Sequence, residues 1–334
     1  MRLKSRTFHL GNFFADQLTV NAFQAIIQTI PEVTNWPELS QFFDHMGRNK
    51  NPDWELPLKV STALGGNPEA VIPGAAALAC LQLSIILVDD MLDNDTRGVH
   101  IRLGHGLTAN FAFAMQSAAF RLVDYTPASD AQRSALTRSL AQMALETARG
   151  QHLDVQNLSG EENYWRVVEA KSTPFYGACY QIGAILGGGD EELIERFYQL
   201  GKLTGEIIQL DDDLTDAFQK PANADWYEGR NNLLVLYAST ADHPQRDAFL
   251  ALLPQIADAA ALEAAQKILI SSGAVSYCAY QLIVRYQAAK QMLEKMNLVN
   301  PQPVASILDT FAESLVKFLK LSGLEVNATI LGEG

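Results

Sequence analysis

Apolar side chains recur at helical spacing along almost the whole chain, and no stretch alternates with the strict period of two that a half-buried strand shows. The pattern predicts an all-α protein. Helices are expected near residues 17–30, 37–46, 54–64, 70–94, 105–123, 128–157, 161–186, 190–218, 229–239, 244–257, 260–271, 274–296 and 302–321. Between them stand breakers such as Asn51-Pro52, Gly65-Gly66-Asn67-Pro68, Gly187-Gly188-Gly189, Lys220-Pro221 and Asn300-Pro301. None is long enough to be an interdomain linker, so a single domain over residues 1–334 is expected. The longest apolar run, Gly74 to Val88, is interrupted by Gln82 and Ser84 and falls short of the roughly 20 residues a bilayer requires. It reads as a buried core helix, and no transmembrane segment is expected.

Two of these helices end in carboxylates. Val88-Asp89-Asp90-Met91-Leu92-Asp93 closes the most apolar helix, with Asp89 and Asp93 at i and i+4 on one face and Asp90 beside them. Within 205–216, Gly205, Gln209, Asp212, Asp213 and Asp216 again share a stripe. A lone Asp-Asp is most often a solvated helix end, but both pairs follow long apolar stretches that should be buried. Two unit charges about 4 Å apart repel by roughly 4 kcal/mol at an effective dielectric near 20, and aspartate at a helix C-terminus also opposes the macrodipole. Such crowding persists where something positive binds. Aspartate oxygens suit hard cations, and a few carboxylates plus substrate phosphates form the usual magnesium site.

Composition narrows the field further. A hydrophobic fraction of 48% and a charged fraction of 19% describe a chain able to bury a large core. The formal net charge of −13 argues against nucleic acid as a partner, since phosphate backbones are bound by clustered Lys and Arg. Cys80, Cys179 and Cys278 have neither paired nor zinc-ligand spacing. The basic opening, Met1 to Arg6, leads into no apolar signal-peptide core, so a cytoplasmic location is expected.

Asp89-Asp90-x-x-Asp93 and Gln209-x-x-Asp212-Asp213-x-x-Asp216 resemble the two aspartate-rich motifs of the trans-isoprenyl diphosphate synthases, the polyprenyl synthetase family. Further matches follow in order: Gly150-Gln151-His152-Leu153-Asp154, Lys171-Ser172, Gly183-Ala184 to Gly188, and Lys220-Pro221 with Asp225 and Glu228-Gly229-Arg230. The resemblance is strongest over residues 65–240. It implies a helical bundle around a central cavity in which three Mg²⁺ ions clamp the diphosphate of an allylic prenyl substrate. Asp89, Asp90, Asp93, Asp212, Asp213 and Asp216 would be the metal ligands. Lys171, Arg97 and Arg230 would hold phosphate oxygens, with Ser172 beside Lys171, while Gln209 and Thr215 would seat a metal or its water. Pro174 should kink the helix at Lys171, because it removes the bond to the Ala170 carbonyl.

Elongating family members join the allylic cation to isopentenyl diphosphate, and Gln82 matches a position that contacts this acceptor. Two departures stand out. Where the family has a basic Gly-Lys-Arg-x-Arg-Pro segment, the best-spaced stretch here is Pro52-Asp53-Trp54-Glu55-Leu56-Pro57, with Arg48 and Lys50 just upstream; the tandem arginines after the first motif shrink to Thr96-Arg97-Gly98. Elongation with isopentenyl diphosphate is therefore weighed against transfer to another acceptor or cyclisation, and against a non-catalytic partner subunit, for which two complete aspartate triads would be superfluous. The resemblance further implies a homodimer. It also implies that Ser84 and Ile85, one turn below Asp89, set the tunnel floor. Their small and ringless side chains point to products of geranylgeranyl length or longer.

Overall fold

The computed structural model describes residues 22, 24–47, 51–156, 158–223, 226–227 and 232–321, and among them there is no strand. The helices are α1 Pro31–Thr34, α2 Pro37–Gly47, α3 Leu56–Ala63, α4 Pro68–Leu92, α5 Val99–Leu103, α6 His105–Asp124, α7 Asp130–Val155, α8 Glu161–Val167, α9 Thr173–Leu186, α10 Glu191–Ala217, α11 Leu233–Thr240, α12 Arg246–Leu252, α13 Ala259–Ser271, α14 Ala274–Glu294 and α15 Gln302–Leu321. Where they fall on described residues the expected spans hold to within a few residues, with three differences; much of the helix expected near 17–30 and the start of that near 229–239 lie outside the described residues. Pro31–Thr34 and Val99–Leu103 are helices too short for periodicity to reveal. The stretch expected as one helix over 161–186 is broken by a π-helical turn, Val168–Ser172, just before Pro174. Proline removes a backbone donor there, and the chain absorbs the loss by widening one turn.

Local chemistry sets the boundaries. Pro68 occupies the first turn of α4, and the Asn67 side chain accepts from the Glu69 N–H. Ser129 and Gln132 form a capping box on α7, and Asp190 caps α10 at the Leu193 N–H. At its other end α4 stops at the first acidic motif: Asp93 is the C-cap and Asn94 follows with φ 50°, a left-handed conformation that Asn tolerates.

The α4 helix is apolar all round, and its buried residues run from Val71 to Asp89. At 25 residues and apolar almost throughout, it has the length and composition of a membrane span, yet most of it is covered by the rest of the fold. A helix apolar on every side belongs at the centre of a bundle. It packs most heavily on α6, while α9 packs on α10, α7 and α3. One hydrophobic core, running from Ile27 to Leu319, surrounds these central helices.

Candidate active site

The acidic ends of α4 and α10 contribute to one cavity. Its walls are Gln82, Ile85 and Asp89 from α4, Thr147 and Gln151 from α7, Lys171 and Ser172 from the π-turn, Phe175 and Tyr176 from α9, and Gly205, Ile208, Gln209 and Asp212 from α10. Helical spacing does this work: positions 82, 85 and 89, and 205, 208, 209 and 212, are stripes along single helix faces. Ser84, expected beside Ile85 on the tunnel floor, is buried off this stripe and does not line the cavity. One residue of offset is about 100° around a helix, which turns Ser84 into the packing.

Lys171 is the centre of charge. Its Nζ lies 2.8 Å from Asp89 Oδ1 and 2.7 Å from Asp154 Oδ2, and all three residues are buried. Gln151 Nε2 adds contacts to Asp89 Oδ1 at 3.4 Å and to the Ile85 carbonyl at 3.3 Å. Burial alone would lower the Lys171 pKa, but Asp89 and Asp154 outweigh it and hold the ammonium well above its ordinary range. Burial raises the Asp89 pKa, and the Lys171 charge offsets only part of that shift. One cation facing two carboxylates leaves the cluster short of positive charge.

The π-turn that carries Lys171 packs on α7 through Gly150. A Cβ on that glycine would stand 2.4 Å from the Ala170 carbonyl and from the Lys171 nitrogen, so only glycine lets the two backbones approach this closely. Asp154 lies one turn further along the same helix, so α7 holds Lys171 both at its backbone and at its tip.

The other first-motif carboxylates sit at the end of α4. Asp90 is half-buried, and its pKa is pushed up to about 6 by burial and by the neighbouring charges of Asp95 and Asp89. Asp93 is exposed at the helix end. Arg97 is folded back onto Asp95, with Nε 3.2 Å from Oδ1 and Nη2 3.0 Å from Oδ2. It is not among the cavity-lining residues, and Arg230 lies outside the described residues, as do Arg48, Lys50, Asp225 and Glu228.

The second motif divides its labour. Asp212 lines the cavity, whereas Asp213, expected as a metal ligand with it, points into the protein. Asp213 Oδ1 accepts from Gln209 Nε2 at 2.7 Å, and Oδ2 accepts from the Tyr164 hydroxyl and the Leu233 N–H, each at 2.7 Å. Asn232, the N-cap of α11, donates to the Asp213 carbonyl at 2.8 Å. Oδ2 thus ties α10 to α8 and α11, while Oδ1 is held within α10 by Gln209. Gln209, expected near a metal, passes this tie to the cavity: its Oε1 accepts from the Ser172 hydroxyl at 3.2 Å. Asp216 accepts from Gln219 Nε2 at 2.6 Å, Thr215 is exposed, and Asp211 accepts from Ser314 of α15 at 2.9 Å. Tyr164 and Asn232 carried no signal in the sequence, because their role depends on Asp213 facing inward.

Below the cavity lies the segment expected to meet the acceptor. Pro52–Glu55 is a 3₁₀ turn capped by Asn51. Gln82 Oε1 accepts from Trp54 Nε1 at 2.5 Å and from Asn51 Nδ2 at 3.2 Å, while its buried Nε2 has no hydrogen-bond partner. Tyr176 donates to Asp53 Oδ2 at 3.0 Å.

Among the described residues no three His, Cys, Asp or Glu side chains are grouped so as to hold a metal by themselves. The donor set is nonetheless all hard oxygen, and magnesium is commonly held by one or two carboxylates completed by substrate phosphates. Asp89 on α4 and Asp212 on α10, both lining the cavity, fit that pattern.

The polyprenyl synthetase family matches residues 56–269. A geranylgeranyl diphosphate synthase of Methanosarcina mazei is 28% identical over 191 residues, 53% of this chain and 59% of that enzyme. A short chain isoprenyl diphosphate synthase of Methanothermobacter thermautotrophicus is 26% identical over 311 residues, 87% of this chain and 94% of its own length. Thus the chain spans less than two thirds of the first relative and nearly all of the second. Among solved structures, the geranylgeranyl pyrophosphate synthetase of the archaeon Geoglobus acetivorans has a TM-score of 0.72 at 21% identity, covering 92% of this chain and 100% of that one. The geranylgeranyl pyrophosphate synthase of Corynebacterium glutamicum, complexed with calcium and isoprenyl diphosphate, has a TM-score of 0.72 at 18% identity, covering 91% and 95%. At these identities the likeness is one of fold. Because the family match takes in both acidic helices, the π-turn lysine and the α7 residues that position it, the chain belongs to the polyprenyl synthetase family and is a prenyltransferase.

Proposed function

We propose that this prenyltransferase is a magnesium-dependent isoprenyl diphosphate synthase, which ionises an allylic prenyl diphosphate and couples it to isopentenyl diphosphate, giving geranylgeranyl or longer products. The observation that carries the reading is the meeting of Asp89, Asp212 and Lys171, from three different elements, on one cavity. Asp89, Asp90 and Asp93 on one side and Asp212 and Asp216 on the other would hold the metal, three ions per site by the family resemblance. Magnesium supplies Lewis-acid stabilisation of the charge that develops on the departing diphosphate, worth several kcal/mol. Asp213 belongs to the framework of the site rather than to its ligands. Lys171 contributes a compact ammonium to the diphosphate oxygens. Ile85, Phe175 and Ile208 wall the prenyl tail and keep water from the allylic cation. The Gln82 amide, with its Nε2 hydrogen unclaimed, offers a donor to the acceptor substrate.

A second reading keeps the ionisation and changes the acceptor. It is favoured by Asp53 and Glu55 in the capped 3₁₀ turn, where the family resemblance leads one to expect basic residues. Both readings are decided by incubating purified protein and Mg²⁺ with allylic diphosphates of several lengths, with and without isopentenyl diphosphate, and identifying products by mass spectrometry. Chain extension only in the presence of isopentenyl diphosphate supports the first. Consumption of the allylic substrate without extension selects the second, and no consumption under any condition removes both.

The whole chain is read as one isoprenoid-synthase domain, supported by the common core from Ile27 to Leu319. A cytoplasmic homodimer is the proposed state. Its support is the burial of the span-like α4 inside the fold and the large apolar side chains left exposed between Leu92 and Leu158.

A further inference from the structure

Asp154 is buried, bonded to Lys171, and takes no part in the chemistry proposed above. Its placement differs from that of Asp89 in one respect. Asp154 stands on α7, the helix that also grips the Lys171 backbone through the close approach at Gly150, so both members of the Asp154–Lys171 pair are carried by elements packed directly on each other. Asp89 stands on α4 and reaches the same ammonium from another wall of the cavity, at 2.8 Å. A divalent cation held by Asp89 would compete with the ammonium there, since at similar distance two charges attract a carboxylate more strongly than one. It would leave the α7 side of the pair in place. We propose that Asp154 is the positioning residue for Lys171: it keeps the ammonium at the cavity wall when metal claims Asp89, so that the ammonium freed from Asp89 turns to the diphosphate. This rests on the metal and diphosphate reading of the site.

The test is a double-mutant cycle read by binding, with isothermal titration calorimetry of inorganic pyrophosphate in the presence of Mn²⁺. The proteins are wild type, Asp154→Asn, Lys171→Met, the double variant, and Asp154→Glu as the conservative control. Asp154→Asn is expected to weaken pyrophosphate binding about tenfold, the scale of one charge-assisted contact. In the Lys171→Met background the same change is expected to matter less than twofold, because a buried carboxylate without its cation protonates. Asp154→Glu should recover most of the loss. Equal losses in both backgrounds would mean that Asp154 acts on the metal or on the fold and not through Lys171; no loss in the wild-type background would equally overturn the assignment. The underlying site reading is checked separately by Asp89→Asn, which should abolish Mn²⁺-dependent pyrophosphate binding. If it does not, that reading fails whatever the cycle shows.

Discussion

Asp212 and Asp213 are neighbours in sequence and opposites in environment, and their substitutions should separate accordingly. Asp213→Asn disturbs a buried group that accepts from Gln209, Tyr164 and the Leu233 N–H, so it should cost about 2–3 kcal/mol of stability, the scale of hydrogen bonds to a charged group. Asp212→Asn should cost less stability than Asp213→Asn in metal-free buffer while lowering turnover at least 100-fold, about the worth of one well-placed charge-stabilising contact. Denaturant titration and steady-state kinetics on the pair check this. Equal stability and equal loss of activity for the two would refute the division of roles. Sequence spacing shows that a carboxylate stripe exists, but the direction of each oxygen depends on what lies behind the helix, here Tyr164 and the start of α11, and spacing carries no such information. The same limit explains Ser84, which shares a turn with Ile85 but not its face. Asp90 adds a dependence on pH. Its folded-state pKa of about 6 lies above the roughly 3.9 of an unfolded aspartate, so between those values the folded chain binds more protons than the unfolded one. Stability in EDTA should therefore be fullest below about pH 4 as far as this group is concerned, and fall as pH rises through about 6. Asp89, also raised, acts in the same direction. Thermal unfolding across this window should show the decline for wild type, a shallower one for Asp90→Asn, and reversal at neutral pH on adding Mg²⁺.

The helices were legible because their apolar periodicity is long and uninterrupted; α4, α7, α10, α14 and α15 fall where the pattern places them. The π-turn was legible only in part: Pro174 announces a break, but the depth to which the turn sinks into α7 depends on Gly150, which the family resemblance marks while the sequence pattern assigns it no contact. A Cβ there meets rigid backbone at 2.4 Å rather than a side chain that could move. Gly150→Ala should therefore cost about 1–3 kcal/mol by overpacking, and should shift Lys171 enough to lower turnover about 100-fold, as displacements near 1 Å do. Wild-type turnover in Gly150→Ala would show that the close approach is not needed to place the lysine. Tunnel length is likewise decided by how α4 presents its turns. Ile85 faces the cavity and Ser84 does not, so Ile85→Phe should shorten the preferred prenyl chain, whereas Ser84→Phe should destabilise the fold without a matching change in product length. Product distributions and unfolding midpoints of the two variants distinguish these outcomes, and the reverse assignment of effects would restore Ser84 to the tunnel floor.

For the molecule as a whole, the uneven distribution of exposed apolar surface is the feature that calls for a partner. Leu92, Ile101, Leu107 and Phe113 follow one another from the end of α4 into α6, and Leu145 and Val155 stand exposed on α7. Single exposed apolar residues are ordinary, and a run of large ones on successive elements is the surface that the proposed homodimer would cover. A second copy of the chain is the economical cover, since a two-fold contact uses each residue twice. Burying a large apolar side chain contributes about 1.5–3 kcal/mol, so Phe113→Glu combined with Leu145→Glu removes four such contributions across a symmetric interface, at least about 6 kcal/mol. That is a weakening of more than 10⁴ in the dimer Kd. Sedimentation velocity at micromolar concentration should then give a dimer for wild type and a monomer for the double variant. Neither residue lines the cavity, so metal-dependent pyrophosphate binding should survive in the monomer. A wild-type monomer, or a double variant that remains dimeric, would show that this face is not where two copies meet.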